Sequence, residues 1–173
     1  MNERPSHAIV MNEYGPPRVL LNAQVGLDPL GEKEVRIRTL ASAVNFTDLQ
    51  IRTGKWPIKK ASPFPYTPGV EVVGVVEDIG RAVTQWSPGQ TVITMMQGLG
   101  GVRAERRGGY SEFVTANSDA IAEIPRGVSP IEMAALGLVA VTAHQGLPDT
   151  VDGGLVGTDT ATTQVNNLSP TAT

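Results

Sequence analysis

Short apolar runs separated by glycine and proline make up most of the chain, and two periods can be told apart in them. Residues 7–11 (HAIVM) read as a first strand, stopped by Asn12 and by the turn-forming Gly15-Pro16-Pro17. Residues 18–24 are placed to return antiparallel to it. Residues 34–40 (EVRIRTL) alternate, with Val35, Ile37 and Thr39 on one face and Arg36 and Arg38 on the other, the period of two of a half-buried strand. Residues 69–80 (GVEVVGVVEDIG) carry the strongest strand signal. Gly74 in their middle marks a bulge or a close backbone approach, where a side chain would collide. A turn at Ser87-Pro88-Gly89-Gln90 leads into residues 91–95, and residues 110–116 and 120–124 are two further strand candidates.

The period changes twice. Over residues 45–53 (NFTDLQIRT), Phe46, Leu49 and the stem of Arg52 line one helical side. Asp48 stands four residues before Arg52, the favoured order for an intrahelical ion pair, and Gly54 can end the helix. A proline-rich crossing through Trp56, Pro57, Pro63, Pro65 and Pro68 excludes regular helix and central strand. Ser129-Pro130-Ile131-Glu132 is a capping box with proline at the first helical position. Ile131, Ala134, Ala135, Leu138 and Thr142 then recur at three- and four-residue spacing, which predicts a helix to about Gln145. Residues 98–109, rich in glycine and arginine, read as a surface loop.

Composition narrows the function classes. A chain of 173 residues has room for one domain with a core, or one domain and a tail, and 40% hydrophobic with 18% charged residues is a globular balance. The net charge of −3 offers no basic field for nucleic acid or an anionic membrane. The absence of cysteine removes disulfides, thiol nucleophiles and thiolate metal sites together. Two histidines, His7 and His144, are the only imidazoles and lie far apart in sequence. There is no signal-peptide pattern and no run of membrane-spanning length, so a cytoplasmic protein is expected. After residue 147 large apolar residues nearly vanish and Thr, Asp, Gly and Asn take over. Such a segment buries too little surface to offset the entropy of ordering it, so residues 1–147 are taken as the domain and 148–173 as a disordered or atypical tail.

The ordered set EYG at Glu13, VNFTDLQIRTG at Val44, PGVEVVGVVEDIG at Pro68, SPGQTV at Ser87 and GGYSEFV at Gly108 resembles the medium-chain dehydrogenase/reductase superfamily. Its zinc-independent quinone oxidoreductase-like branch is the nearest, and EMAALGLVAVTAHQGL is similar to the segment that leads into that family's cofactor domain. The resemblance covers residues 7–147 and implies a mainly β, GroES-like, partly open barrel with a few helices. It further implies a following NADPH-binding Rossmann domain, and hydride transfer to quinones or other α,β-unsaturated carbonyls. Two departures stand out. Zinc-dependent relatives place Cys near Asn45 and His at Val70, although Glu71 is kept, so no zinc is expected here. No Rossmann strand–turn–helix follows residue 147: the glycines at 153, 154 and 157 have no apolar strand before them and no helix pattern after them. A truncated or frameshifted dehydrogenase, inactive alone, is therefore expected.

The resemblance supplies the candidate residues. Asn45 matches a position near nicotinamide and substrate, where an amide can donate to a developing enolate oxygen, and it is also a natural helix cap. Asp48 reads as a helix-ordering partner of Arg52 before it reads as a general acid. Trp56 stands where many relatives carry tyrosine. An indole N–H transfers no proton, so Trp56 is a substrate-cleft wall or a packed loop anchor. Thr142 resembles a threonine on the nicotinamide side of the cleft, against the alternative of a core-facing helix residue. His144 reads as a partly buried packing residue, His7 takes no role, and Arg103, Arg106 and Arg107 read as solvated before they read as phosphate ligands. The non-enzymatic alternative is a GroES-like binding or homo-oligomerising module whose exposed apolar wall recruits a partner.

Overall fold

Five of the expected strands pair into one antiparallel sheet in the order β6-β3-β4-β5-β7, where β3 is Glu34–Ala41, β4 Glu71–Ile79, β5 Thr91–Met95, β6 Phe113–Asn117 and β7 Ile121–Glu123. Two more, β1 (Ser6–Val10) and β2 (Leu21–Val25), form a separate antiparallel hairpin. The computed structural model describes residues 5–56, 64–95 and 106–146, and the backbone of 149–151 and 154–156. The β1 end of the hairpin is stitched to the rest by Ile9 N–H to the Tyr110 carbonyl, at 2.8 Å, and by reciprocal bonds between Met11 and Tyr66 at 2.8 and 2.9 Å. The curled sheet and its hairpin make the partly open, mainly β barrel that the sequence led us to expect.

Strand β4 is the centre of the molecule because it is covered on both faces. Val72 and Val76 join Val35, Ile37, Val83, Val92, Val114 and Ala116 in one core cluster. Val73 turns the other way, to Ile93, Ile124 and Ala134. That double coverage is the physical reason for its nearly unbroken valine run. Burying each such side chain contributes roughly 1.5–3 kcal/mol. At Gly74, opposite Thr39, a Cβ would lie 2.3 Å from the Arg38 carbonyl oxygen and 2.6 Å from Ile37 Cγ2, so the strands approach too closely for any side chain. The expected close approach is there, beside a register shift between Thr39 and Ala41.

The helices form where expected but turn differently. Helix α1 (Phe46–Arg52) starts at Asn45, and Gly54 follows it at φ +74°. Phe46 and Leu49, which line one side of the helix, are 75% and 41% exposed, while Asp48 and Ile51 are buried. The expected Asp48–Arg52 pair does not form: Arg52 donates to the Gly15 carbonyl, and Asp48 is drawn inward by backbone N–H groups of residues 69 and 70. Helix α2 (Pro130–Gly146) has its capping box, with Ser129 N–H to Glu132 and Glu132 N–H to Ser129 Oγ both at 3.1 Å. Its inner line is Ala134, Gly137 and the half-buried Leu138; Ile131 is 76% exposed, and Ala135 and Thr142 face outward. His144 is exposed as well, not a packing residue.

The loop that brings the chain back to β6 is anchored, not solvated, at its described end. Arg106 Nε meets Glu34 at 2.7 Å, and Arg107 reaches Asp28 at 3.1 Å and the Gly26 carbonyl at 2.9 Å. Arg103 lies outside the described residues. Within residues 148–173, Asp149–Val151 (β8) pairs antiparallel with Gly154–Val156 (β9); the remainder, including the glycines at 153 and 157, lies outside them.

Candidate functional site

Asn45 sits half-buried at the junction of β3 and α1. It and Asp48 have the reciprocal arrangement of a capping box, in which the Asp48 carboxylate accepts the Asn45 backbone N–H at 2.9 Å. The Asn45 amide also reaches further, its Nδ2 donating to Glu71 Oε1 at 2.7 Å. Cap and tether thus coexist on one side chain. Glu71, the first residue of β4, is 1% exposed, and its other oxygen, Oε2, accepts the backbone N–H of Leu138 at 2.7 Å. The Thr142 hydroxyl donates to the Leu138 carbonyl at 2.9 Å, one turn further along α2. Two residues singled out from sequence, Asn45 and Thr142, are therefore linked through Glu71 and residue Leu138, whose N–H meets Glu71 and whose carbonyl, in the next peptide group, meets Thr142.

Trp56 is outside this chain. It packs against Met11, Val19, Ile51, Tyr66 and Val70, and its indole N–H is buried without a partner among the described residues.

Below Asn45 lies a second acid. Asp48 is 3% exposed and accepts from the N–H groups of Gly69 and Val70, both at 3.1 Å. Burial pushes its carboxyl above the ordinary value, against the pull of the Asn45 N–H, the Tyr110 hydroxyl and the two loop N–H groups. Tyr110, whose hydroxyl also lies 3.3 Å from the Ala43 carbonyl, is pushed up by burial and by the neighbouring Asp48 and Glu71 carboxylates. Tyr66 is pushed up by burial and by Asp48. Both phenols hold their protons, and Tyr110 serves Asp48 as a neutral donor. Asp48 therefore acts as a clamp that fixes the start of α1 on the loop before β4.

The sequence alone marks Glu71 only as a position kept from zinc-dependent relatives. A plainer signal is present: it is the one acid at the head of a valine run, on a strand whose pattern calls for burial, and a buried carboxylate requires donors. Asp48 carries a misleading signal, because its spacing to Arg52 suits a local pair. Among the described residues no group of three or more His, Asp or Glu converges as a metal site would require.

The described residues fit NADPH at its nicotinamide end only. The Thr142 hydroxyl spends its hydrogen on the helix and so presents lone pairs, which suit a carboxamide NH₂. A diphosphate finds no cradle. Both helix starts already hold a carboxylate, Asp48 on α1 and Glu132 on α2, where an anion would need bare N–H groups.

Comparison with known proteins agrees with this architecture. Residues 31–126 match the alcohol dehydrogenase GroES-like domain. The quinone oxidoreductase of Lama guanicoe is 32% identical over 146 residues, covering 84% of this chain and 41% of that protein. The quinone oxidoreductase structure from Coxiella burnetii superposes with a TM-score of 0.74 at 24% identity, over 82% of this chain and 44% of the other. The Escherichia coli quinone oxidoreductase complexed with NADPH gives 0.65 at 25% identity, over 79% and 38%. The chain thus spans about two fifths of the length of these relatives. With a GroES-like domain matched over residues 31–126, more than half of the chain, and quinone oxidoreductases among the relatives in sequence and in structure, the chain belongs to the medium-chain dehydrogenase/reductase superfamily, in its quinone oxidoreductase-like branch.

Proposed function

We propose that residues 1–147 form the substrate-side domain of a zinc-independent, NADPH-dependent oxidoreductase acting on a quinone or another α,β-unsaturated carbonyl, with 148–173 as an appended tail. The observation that carries this reading is the tether on Asn45. Its amide nitrogen bears two hydrogens, and Glu71 takes one of them. The other is a fixed neutral donor for a substrate carbonyl. NADPH, when bound, supplies a hydride to the electron-poor carbon conjugated with that carbonyl. As negative charge grows on the carbonyl oxygen, the Asn45 N–H strengthens its bond to it without reorganising, and solvent delivers the proton. Thr142 orients the nicotinamide amide, and Trp56 stiffens the segment that follows α1. A location in the cytoplasm and the absence of nucleic-acid and membrane partners are part of the same proposal; the net charge is −3, and no described helix is long and apolar enough to cross a membrane.

The test is binding of menadione to the chain, monitored through quenching of Trp56 and Trp86 fluorescence. Saturable binding that weakens about fivefold in Asn45→Ala, the size of one lost neutral hydrogen bond, supports the assignment. No binding, or equal binding by both proteins, overturns it.

A second reading rests on α2. Leu136, Val139 and Val141 are 53%, 52% and 41% exposed, and no charged residue stands between Glu132 and His144. A non-catalytic module could pair through that face with a second copy of itself, since two such helices meet without like-charge repulsion.

A further inference from the structure

We infer that Glu71 is a positioning residue: as an acceptor at both oxygens, it fixes which way the Asn45 amide faces and locks it to the Leu138–Thr142 turn of α2. This rests on the proposed role of Asn45 and adds the device that makes that role possible. A carboxylate offers only acceptors, so each of its oxygens can face an N–H. Here one faces Asn45 Nδ2 and the other the Leu138 N–H, both at 2.7 Å. The amide nitrogen of Asn45 is therefore directed to Glu71, an orientation that a neutral side chain at position 71 would not enforce. A carboxamide there would accept at one atom and donate at the other. It would keep Leu138 and then present N–H to N–H at Asn45, or turn the Asn45 amide over and spoil the cap.

The helix is shaped for this contact. Leu138 lies inside α2, and its N–H is directed to a side chain from the sheet. The residue before it is Gly137, where a Cβ would stand 2.7 Å from Glu71 Oε2 and 2.5 Å from Ile93 Cδ1. A Cβ at 137 would force both side-chain ends to shift and so move Glu71 Oε2 from its present position. Glycine otherwise weakens a helix interior, and the close approach of Glu71 is what it permits. Burial at 1% exposure keeps water from competing for either oxygen.

The experiment is nuclear magnetic resonance on the full 173-residue chain. In the wild-type protein one of the two Asn45 side-chain amide protons exchanges slowly with solvent and is shifted downfield by the carboxylate, and the Leu138 amide is equally protected. Glu71→Gln removes the shift at Asn45. Gly137→Ala keeps a carboxylate at position 71 but displaces it, and removes the shift too, an effect at Asn45 that simple loosening of α2 would not produce. Wild-type Asn45 protons that both exchange as fast as those of an exposed asparagine overturn the inference, and this result needs no variant to fold. So does an Asn45 signal unchanged in either folded variant. Menadione added to the same sample separates the two proposals. A protected Asn45 proton with no response of its partner proton to menadione refutes the functional reading alone. A menadione response with no protected proton refutes the positioning role alone.

Discussion

Glu34 and Asp48 are both half or fully sequestered carboxylates, yet their surroundings move them in opposite directions. Burial raises Glu34, but the Gly31 N–H at 2.9 Å and the Arg106 guanidinium outweigh it, leaving the group below its ordinary value of 4.5. Asp48 stays above its ordinary 3.8 because burial outweighs its donors. The signs follow by linkage. The stability from Glu34 is complete above pH 4.5 and is lost as pH falls through its folded value; that from Asp48 is complete below 3.8 and declines as pH rises through its folded value. The stability gap between wild type and Glu34→Gln in urea titrations is thus expected to hold from pH 7 to about 4.5 and to narrow below it. A gap of equal size at pH 3 would show that the Gly31 N–H and the Arg106 guanidinium together give the ionised form no advantage in the folded chain. Gly74→Ala is expected to cost about 2 kcal/mol or more, since the new methyl group meets backbone on β3 that cannot swing aside. A loss below about 0.5 kcal/mol in the same titration would mean that β3 and β4 separate easily. Gly74 was legible in the sequence because a glycine weakens the valine run it interrupts, a cost that a bulge or a close backbone approach requires. The burial of Glu71 was legible in the same valine run, but its partners were not, because they lie 26 residues before it and 67 after it, at distances no local pattern encodes.

At the scale of elements, what was legible was whatever closes locally. Strand positions followed the alternation at β3 and the apolar run at β4. The start of α2 followed from Ser129 and Glu132, whose two bonds span three residues. Ser129→Ala is expected to cost about 1 kcal/mol in urea titrations; an unchanged midpoint would show the cap to be idle. The rotation of each helix was not legible. In α1 an apolar pair, Phe46 and Leu49, competed for the inner face with an acid, Asp48, and the acid won because Gly69 and Val70 offer it two N–H groups from another part of the chain. In α2 apolar residues occur all round, so periodicity could not say which line packs. The answer, Ala134 and Gly137, is set by the close approach of Glu71 and Ile93, which only small residues tolerate.

For the whole molecule, the decisive feature is that its last long element ends in apolar surface. Ile131, Leu136, Val139 and Val141 of α2, with Val44 and Phe46 beside α1, are all more than two-fifths exposed. A catalytic domain and a self-pairing module both need such a surface, so exposure alone does not choose between them; the consequences of covering it do. If the face serves pairing with a second copy, the chain is dimeric at micromolar concentration, and Leu136→Glu with Val139→Glu makes it monomeric and lowers its melting temperature only to that of the diluted, monomeric wild type, because both side chains already face water in the monomer. If the face instead borders a catalytic cleft, the wild-type chain sediments as a monomer, it binds an apolar dye such as anilinonaphthalene sulfonate on α2, and the double variant loses the dye while keeping menadione bound at Asn45. The two outcomes cannot both occur, since pairing through α2 would bury the residues on which the dye must sit. Sedimentation velocity on these two proteins therefore decides between the readings before any substrate is known, and a dimer that survives the double variant would remove α2 from the interface altogether.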